Sequence, residues 1–318
     1  MSTLYIDRKG LACKLENGAL VFREEGGRCA TVPTAPLDRI VFKSDVTVNT
    51  GTLAKLAAKG IGMLFLSGHA VKPTLFSPAE HKDAERRLSQ YLLSEDPEFC
   101  RQFASGLLSE KLAAQKRHVA ELQKRHESLA DQLDPAVARL EELIDRVTPV
   151  LTLDALRGME GLVAAVYFEA IGHCVDPSLG FTHRNRRPPK DPVNALLSLT
   201  YTLLTSEAAL AAHQAGLDPY VGFLHQLDYG RPSLACDLME PLRPEADRFV
   251  LKLFEEHSVE LSDFARTSEH CLLTKEGRVK YYPLYEAQAP VWRSCLTKRC
   301  LMHASDFVTE YRSRKRSS

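Results

Sequence analysis

The sequence predicts an α+β protein: a small sheet or sandwich with one helix over residues 1 to about 78, then a larger helical part reaching residue 318. Three observations predict it. Short alternating apolar runs crowd the front of the chain. Turn signals at Glu16-Asn17-Gly18, Glu25-Gly26-Gly27 and Ser67-Gly68 separate those runs. From Ser77 onward the apolar period lengthens to that of helices.

The front elements are "TLYID", "LACKL", "ALVFR", "CATVP", "RIVF" and "GMLFLS". One helix, "NTGTLAKLAAKG", is bracketed by Asn49 or Thr50 as cap and Gly60 as stop. The helical part opens with "SPAEHKDAERRLSQYLLS", where Ser77 is the expected cap and Pro78 lies in the first turn. A long charged amphipathic stretch follows from Pro97 to about Ala130. Its segment Lys111 to Arg125 reads either as a nucleic-acid face or as a solvated helix surface with i,i+4 pairs, and the second is the simpler reading. "DPAVARLEELIDRV" is expected to start at an Asp134 cap with Pro135 in its first turn. The tail "YRSRKRSS" is expected to be disordered.

Composition narrows the function classes. Lysines and arginines number 41, aspartates and glutamates 41, so a surface for a polyanion requires local segregation of charge. The N-terminus "MSTLYIDRKG" has no signal-peptide pattern. No apolar run approaches the ~20 residues of a membrane helix, so no membrane partner is expected. Eight cysteines are scattered without framework spacing, as reduced thiols of a cytoplasmic protein would be. Cys295, Cys300 and His303 resemble half a zinc site, but no second pair completes it, and core thiols are the better reading. There is no P-loop, dinucleotide fingerprint or HExxH motif.

Two stretches carry chemistry. In "TLDALRGMEGLVAAVYFEAIG" the apolar residues Leu153, Leu156, Met159, Val163, Val166, Tyr167 and Ile171 form one helical stripe. Glu160 falls inside that stripe, whereas Glu169 lies opposite it. A buried carboxylate needs a partner or a metal, so Glu160 is either half of a structural ion pair or a functional acid. In "GFLHQLDYGRPSLACDLMEPLRPEADRFV", Gly222 and His225 sit in a turn, and Ser233 can cap a helix carrying Asp237 and Glu240 on one face. Pro241 and Pro244 redirect the chain just beyond them. Carboxylates with one imidazole suit Mg2+ or Mn2+, leaving positions for water and phosphate oxygens, which is the donor set of phosphoryl-transfer chemistry. Between these stretches runs "RNRRPPKDPVNALLSLTY", a cationic loop stiffened by Pro188, Pro189 and Pro192.

"MEGLVAAVYFEAI", "RNRRPPKDPVNALLSLTYTLL" and "GFLHQLDYGRPSLACDLMEPLRP" resemble the three signature segments of the CRISPR-associated integrase, the metal-dependent DNA endonuclease of spacer acquisition. The resemblance covers nearly the whole chain, from "TLYI" through "VTVNTGTLAKLAAKGIGMLFLSGHA" to the helical remainder. It implies a small N-terminal β-sandwich (residues 1–78, with the dimer contact) joined to a larger all-α catalytic domain (79–318). It also implies a prokaryotic cytoplasmic protein that forms a homodimer. Two such dimers would flank a dimer of a small ferredoxin-like second adaptation protein, making a heterohexamer. Its substrates would be double-stranded and branched DNA: the prespacer and the leader-repeat junction. Carried over by residue, the metal ligands are Glu160, His225 and Glu240, with Asp237 as an auxiliary acid; some members have Asp where this chain has Glu240. Arg184, Arg186, Arg187 and Lys190 of the stiff loop, with Arg243, are the expected phosphate contacts. The alternative of another class is a non-catalytic DNA-binding scaffold of the same complex.

Overall fold

The structure is a computed structural model, and it describes residues 2–25, 27–66, 74–76, 81–185 and 188–317. Two four-stranded sheets form the front. The inner one has the order β1 (Ser2–Ile6), β5 (Leu37–Phe42), β7 (Gly62–Phe65), β8 (Thr74–Phe76), with β1, β5 and β7 parallel and β8 antiparallel to β7. The outer one runs β4 (Gly27–Pro33), β3 (Ala19–Glu24), β2 (Leu11–Glu16), β6 (Val46–Val48). Asn17 and Gly18 both take positive φ, which is the backbone a tight β2–β3 hairpin requires. Helix α1 (Thr50–Ala58) is capped by Asn49, whose side chain accepts from the Thr52 amide.

Strand alternation decides how the two parts meet. Ile40, Phe42 and Met63 point into a front core with Leu20, Phe22, Leu56 and Ile61. Their neighbours Val41 and Leu64 point the other way, into the main helical core. The inner sheet is therefore a middle layer, buried on both faces, and that is why "RIVF" and "GMLF" read as continuous apolar runs.

The helical part contains α2 (Ala84–Ser94), α3 (Pro97–Arg125), α4 (Ala130–Asp145), α5 (Leu153–Cys174), α6 (Pro192–Gln214), α7 (Ser233–Met239), α8 (Arg243–Glu255) and α9 (Lys275–Ser317). A short antiparallel pair, β9 (Phe264–Arg266) and β10 (Cys271–Leu273), interrupts it. Asp83, Asp96, Thr152 and Asp191 cap α2, α3, α5 and α6. Several local expectations need correction. The cap of α2 is Asp83, and Ser77 and Pro78 lie outside the described residues. Helix α4 begins before Asp134 and carries Pro135 inside it. The basic tail continues α9, where Arg312 pairs with Glu85 at 2.6 Å and Arg314 with Glu310 at 2.7 Å. By length and composition α6 is apolar enough to cross a membrane, contrary to the sequence reading; 72% of its apolar window is buried inside the protein, as the central core helix.

Candidate metal centre

Helix α5 presents Glu160 from within its buried stripe, because Leu156, Val163 and Tyr167 on the same face are fully enclosed. Glu240 opens a one-turn 3₁₀ helix between α7 and α8, where Pro241 and Pro244 break the α-helical run. It is fully buried. Glu160 and His225 are about a fifth exposed, at 21% and 22% of their side chains, so the site has a dry floor and a wet mouth.

His225 owes its pose to Asp237. One carboxylate oxygen of Asp237 accepts from the Phe223 amide (2.6 Å) and the Leu224 amide (3.0 Å). The other takes the His225 amide at 3.0 Å and lies 2.6 Å from His225 Nδ1. Asp237 already accepts from three amides, so Nδ1 donates to it and Nε2 is the nitrogen that faces Glu240 Oε1, at 3.9 Å. Arg157, three residues before Glu160 on α5, donates to the Leu224 carbonyl at 2.9 and 3.0 Å and ties the loop to that helix. Gly222 is required here: a Cβ would stand 2.8 Å from Asp237 Oδ2 and 2.9 Å from the His225 carbonyl oxygen. Ser233 does not cap α7; its hydroxyl donates to the Gln226 carbonyl at 2.9 Å and closes the same loop.

Charge at the floor is balanced from two sides. Arg243 Nε lies 2.9 Å from Glu240 Oε1, and Lys111 Nζ lies 2.6 Å from Glu240 Oε2 and 2.5 Å from Glu160 Oε1. Burial pushes the Glu240 carboxyl up, but the Arg243 and Lys111 cations outweigh it and hold the group down at about 2. Burial also opposes protonation of His225, yet its bond to Asp237 and the nearby carboxylates raise it above the ordinary histidine value. Neither oxygen of Glu240 receives a well-aligned hydrogen bond despite these close ion pairs. A buried carboxylate, an imidazole nitrogen turned toward it and a half-open second carboxylate are the donor types that suit a hard divalent cation. Among the described residues no three His, Cys, Asp or Glu side chains stand together at metal-holding geometry, and the Lys111 ammonium lies within 2.6 Å of both Glu160 and Glu240.

The five expected phosphate contacts divide. Arg243 turns inward, onto Glu240 and over the Tyr201 ring at 4.8 Å. Arg184 folds back onto α6, donating to Asn194 Oδ1 at 2.7 Å and Ser198 Oγ at 3.1 Å, rather than projecting from the loop. Lys190 is exposed. Arg186 and Arg187 lie outside the described residues.

Two groups beneath the site escape the sequence reading. Lys111, within the run taken for a solvated face, is buried at 4% exposure. Asp247 is also buried; it accepts from Tyr167 at 2.9 Å and from Tyr201, and Tyr167 meets His118 Nδ1 at 2.8 Å. Both lie on apolar stripes, the signal that exposes Glu160. Cys300 and His303 are packed in the α9 interface, His303 against Phe103 and Phe307, as core side chains. The cavity of about 540 Å³ bordered by Cys174, Leu179, Phe254 and His257 contains none of the site residues.

Relatives share this architecture from end to end. The family model described as "CRISPR associated protein Cas1" matches residues 4–287. A "CRISPR-associated endonuclease Cas1 1" of Thermodesulfovibrio yellowstonii is 39% identical over 301 residues, covering 92% of this chain and 94% of that one. The structure of a Cas1 protein from Thermotoga maritima superposes with TM-score 0.81 at 25% identity, covering 97% of each chain. A casposase bound to integration product has the same fold, with TM-score 0.83 at 21% identity over 98% of this chain and 91% of that one. A family match across both sheets and the helical part, and a relative alike along nearly its whole length, lead to one lineage: the chain belongs to the CRISPR associated protein Cas1 family.

Proposed function

We propose that the chain is a metal-dependent DNA endonuclease and integrase of CRISPR adaptation, with Glu160, His225 and Glu240 as the ligands of Mg2+ or Mn2+. The observation that carries this is the pose of His225: a buried acid fixes its Nδ1 and turns Nε2 toward the buried Glu240 carboxylate. Its relatives' printed names, CRISPR-associated endonucleases, agree with a nuclease.

A divalent cation held there would polarise a phosphodiester and stabilise charge on the attacking and departing oxygens. The chain's own residues prepare that chemistry. Asp237 keeps the imidazole in one tautomer, and Arg243 holds Glu240 against the floor. The open side of Glu160 and His225 gives a phosphodiester its approach, with Lys190 of the loop before α6 as an exposed cation for the backbone. The substrates on this reading are a prespacer 3′-hydroxyl and the leader-repeat junction, joined by transesterification; branched DNA is resolved by the reverse step.

The assembly is proposed on the family's plan: a homodimer through residues 1–78 and a heterohexamer with the small ferredoxin-like partner, in a prokaryotic cytoplasm. The outer edge of β4 supports the dimer contact, being an exposed terminal strand of its sheet. Integration into a supercoiled plasmid with Mg2+ or Mn2+ tests the activity. Glu160→Ala and His225→Ala are expected to give no product while circular dichroism stays native. A scaffold would survive both changes, and parental turnover in Glu160→Ala would sink the metal-site reading.

A further inference from the structure

Lys111 places a cation between two of the proposed ligands. Its turn of α3 belongs to a buried stripe made by Ala104, Leu107, Leu108, Leu112, Val119 and Leu122. Its side chain is 5% exposed, and its ammonium is the bridge between two carboxylates from different elements. Arg243 reaches only Glu240, and His225 Nε2 stops 3.9 Å short of it, so among the described residues no other cation joins Glu160 to Glu240. A lone buried ammonium is costly, and two facing carboxylates repel; each cancels the other's penalty. An ammonium is also a compact point charge that takes oxygen ligands from any direction, as a hard metal ion does. Its four-carbon stem can stay packed on α3 while the head swings toward the wet mouth.

We propose that Lys111 is the resident counter-ion of the site: its ammonium holds Glu160 and Glu240 together, and a divalent cation binds them only by displacing it. This rests on the metal-site reading above. The affinity for metal is then a difference between two cations competing for the same oxygens. An ion of high charge density can win that exchange where a monovalent ion cannot. The metal-free carboxylates are meanwhile kept close to each other without an unpaired buried charge.

Mn2+ binding to the full-length, DNA-free protein tests this by calorimetry and by loss of the free-ion paramagnetic resonance signal. Lys111→Met is expected to bind Mn2+ at least about tenfold more tightly than the parent. Lys111→Arg, which keeps the charge, is expected to bind no more tightly than the parent. Without metal Lys111→Met should melt lower, and Mn2+ should raise its melting temperature more than the parent's. Parental affinity in folded Lys111→Met overturns the proposal. Glu160→Gln separates the two readings: if it binds Mn2+ as the parent does, the ligand set itself is wrong, whatever Lys111 does. Should Lys111→Met fail to fold, acetylation of the parent by an amine reagent, read by mass spectrometry, decides. Lys111 is expected to be protected without Mn2+ and modified with it, and protection unchanged at saturating Mn2+ overturns the proposal.

Discussion

Asp237 fixes the loop that carries His225. Its two oxygens take three amides and one imidazole, so an asparagine, with one oxygen and a donating amide, cannot reproduce the set. Asp237→Asn is expected to cost about 1–3 kcal/mol of stability and to weaken Mn2+ binding by about 10–100-fold; urea melts and metal titration read the two separately. Glu240 gives the opposite lesson to the one its sequence suggests. A buried acid in apolar sequence looks like stored strain, relieved by removal. The structure instead pairs it with Arg243 and Lys111, so Glu240→Ala leaves Arg243 unpaired and is expected to destabilise by about 3 kcal/mol. Asp247 sits instead between two tyrosine hydroxyls. Burial lifts its carboxyl from 3.8 to about 6, against the Tyr201 and Tyr167 hydrogen bonds. Its native state keeps a proton that the unfolded chain has already released, so its contribution is complete below 3.8 and is lost as pH rises through about 6. The stability of the parent relative to Asp247→Asn should therefore fall by about 2–3 kcal/mol from near pH 4 to near pH 7. A difference independent of pH would show that Asp247 titrates normally.

At the scale of elements, legibility depends on which residues break a pattern. Glu160 stands out because its neighbours on α5 are apolar. Lys111, Gln115 and His118 break the α3 stripe in the same way, but α3 is so rich in charge that a lysine there looks like surface. Only the packing of α3 against α5 and the Glu240 turn shows which of its charges face inward. The β9–β10 pair and the 43-residue α9 are hard to read for another reason. Three-residue strands give too few alternations, and Pro283 and Pro290 look like breaks within one continuous helix. The loop before α6 separates by residue. Arg184 is bonded to the first turns of α6, while Lys190 is exposed. Lys190→Ala should leave the melting temperature alone and reduce the salt slope of DNA binding by about one. Arg184→Ala should lower the melting temperature as well. Equal salt slopes for Lys190→Ala and the parent would remove that residue from the DNA surface.

For the whole molecule, the boundary near residue 78 is where the chain passes from strands to helices, and contacts cross it. Alternating strands followed by helices read as two units, and a fragment starting near Ser77 is then expected to fold as a monomer with its metal ligands in place. The folded chain shares one core across that boundary, with Val41, Leu64 and Leu66 packed among the helices. Tyr5 stacks on Tyr282 with centroids 4.2 Å apart and donates to Glu286 at 2.8 Å. Arg278 pairs with Asp7 at 2.7 Å, and Arg39 pairs with Glu207. Arg293, buried on α9, pairs with Glu207 and Glu286 and donates to Thr3 at 3.0 Å. Removing the front would strip apolar cover from α6 and α9, leave Glu207 without Arg39 and Arg293 without Thr3, and wet the edge between them. A fragment of residues 79–318 is therefore expected to lose near-ultraviolet dichroism, to bind hydrophobic dyes and to run as aggregate rather than as a folded monomer. Gly62→Leu in the full chain probes the same seam more gently. A Cβ there already meets Leu210 Cδ2 at 2.9 Å, so the larger side chain must push the sheet from α6. The melting temperature should drop, with both parts unfolding in one transition because they share a core. Two separate transitions in calorimetry would restore the independent-domain reading.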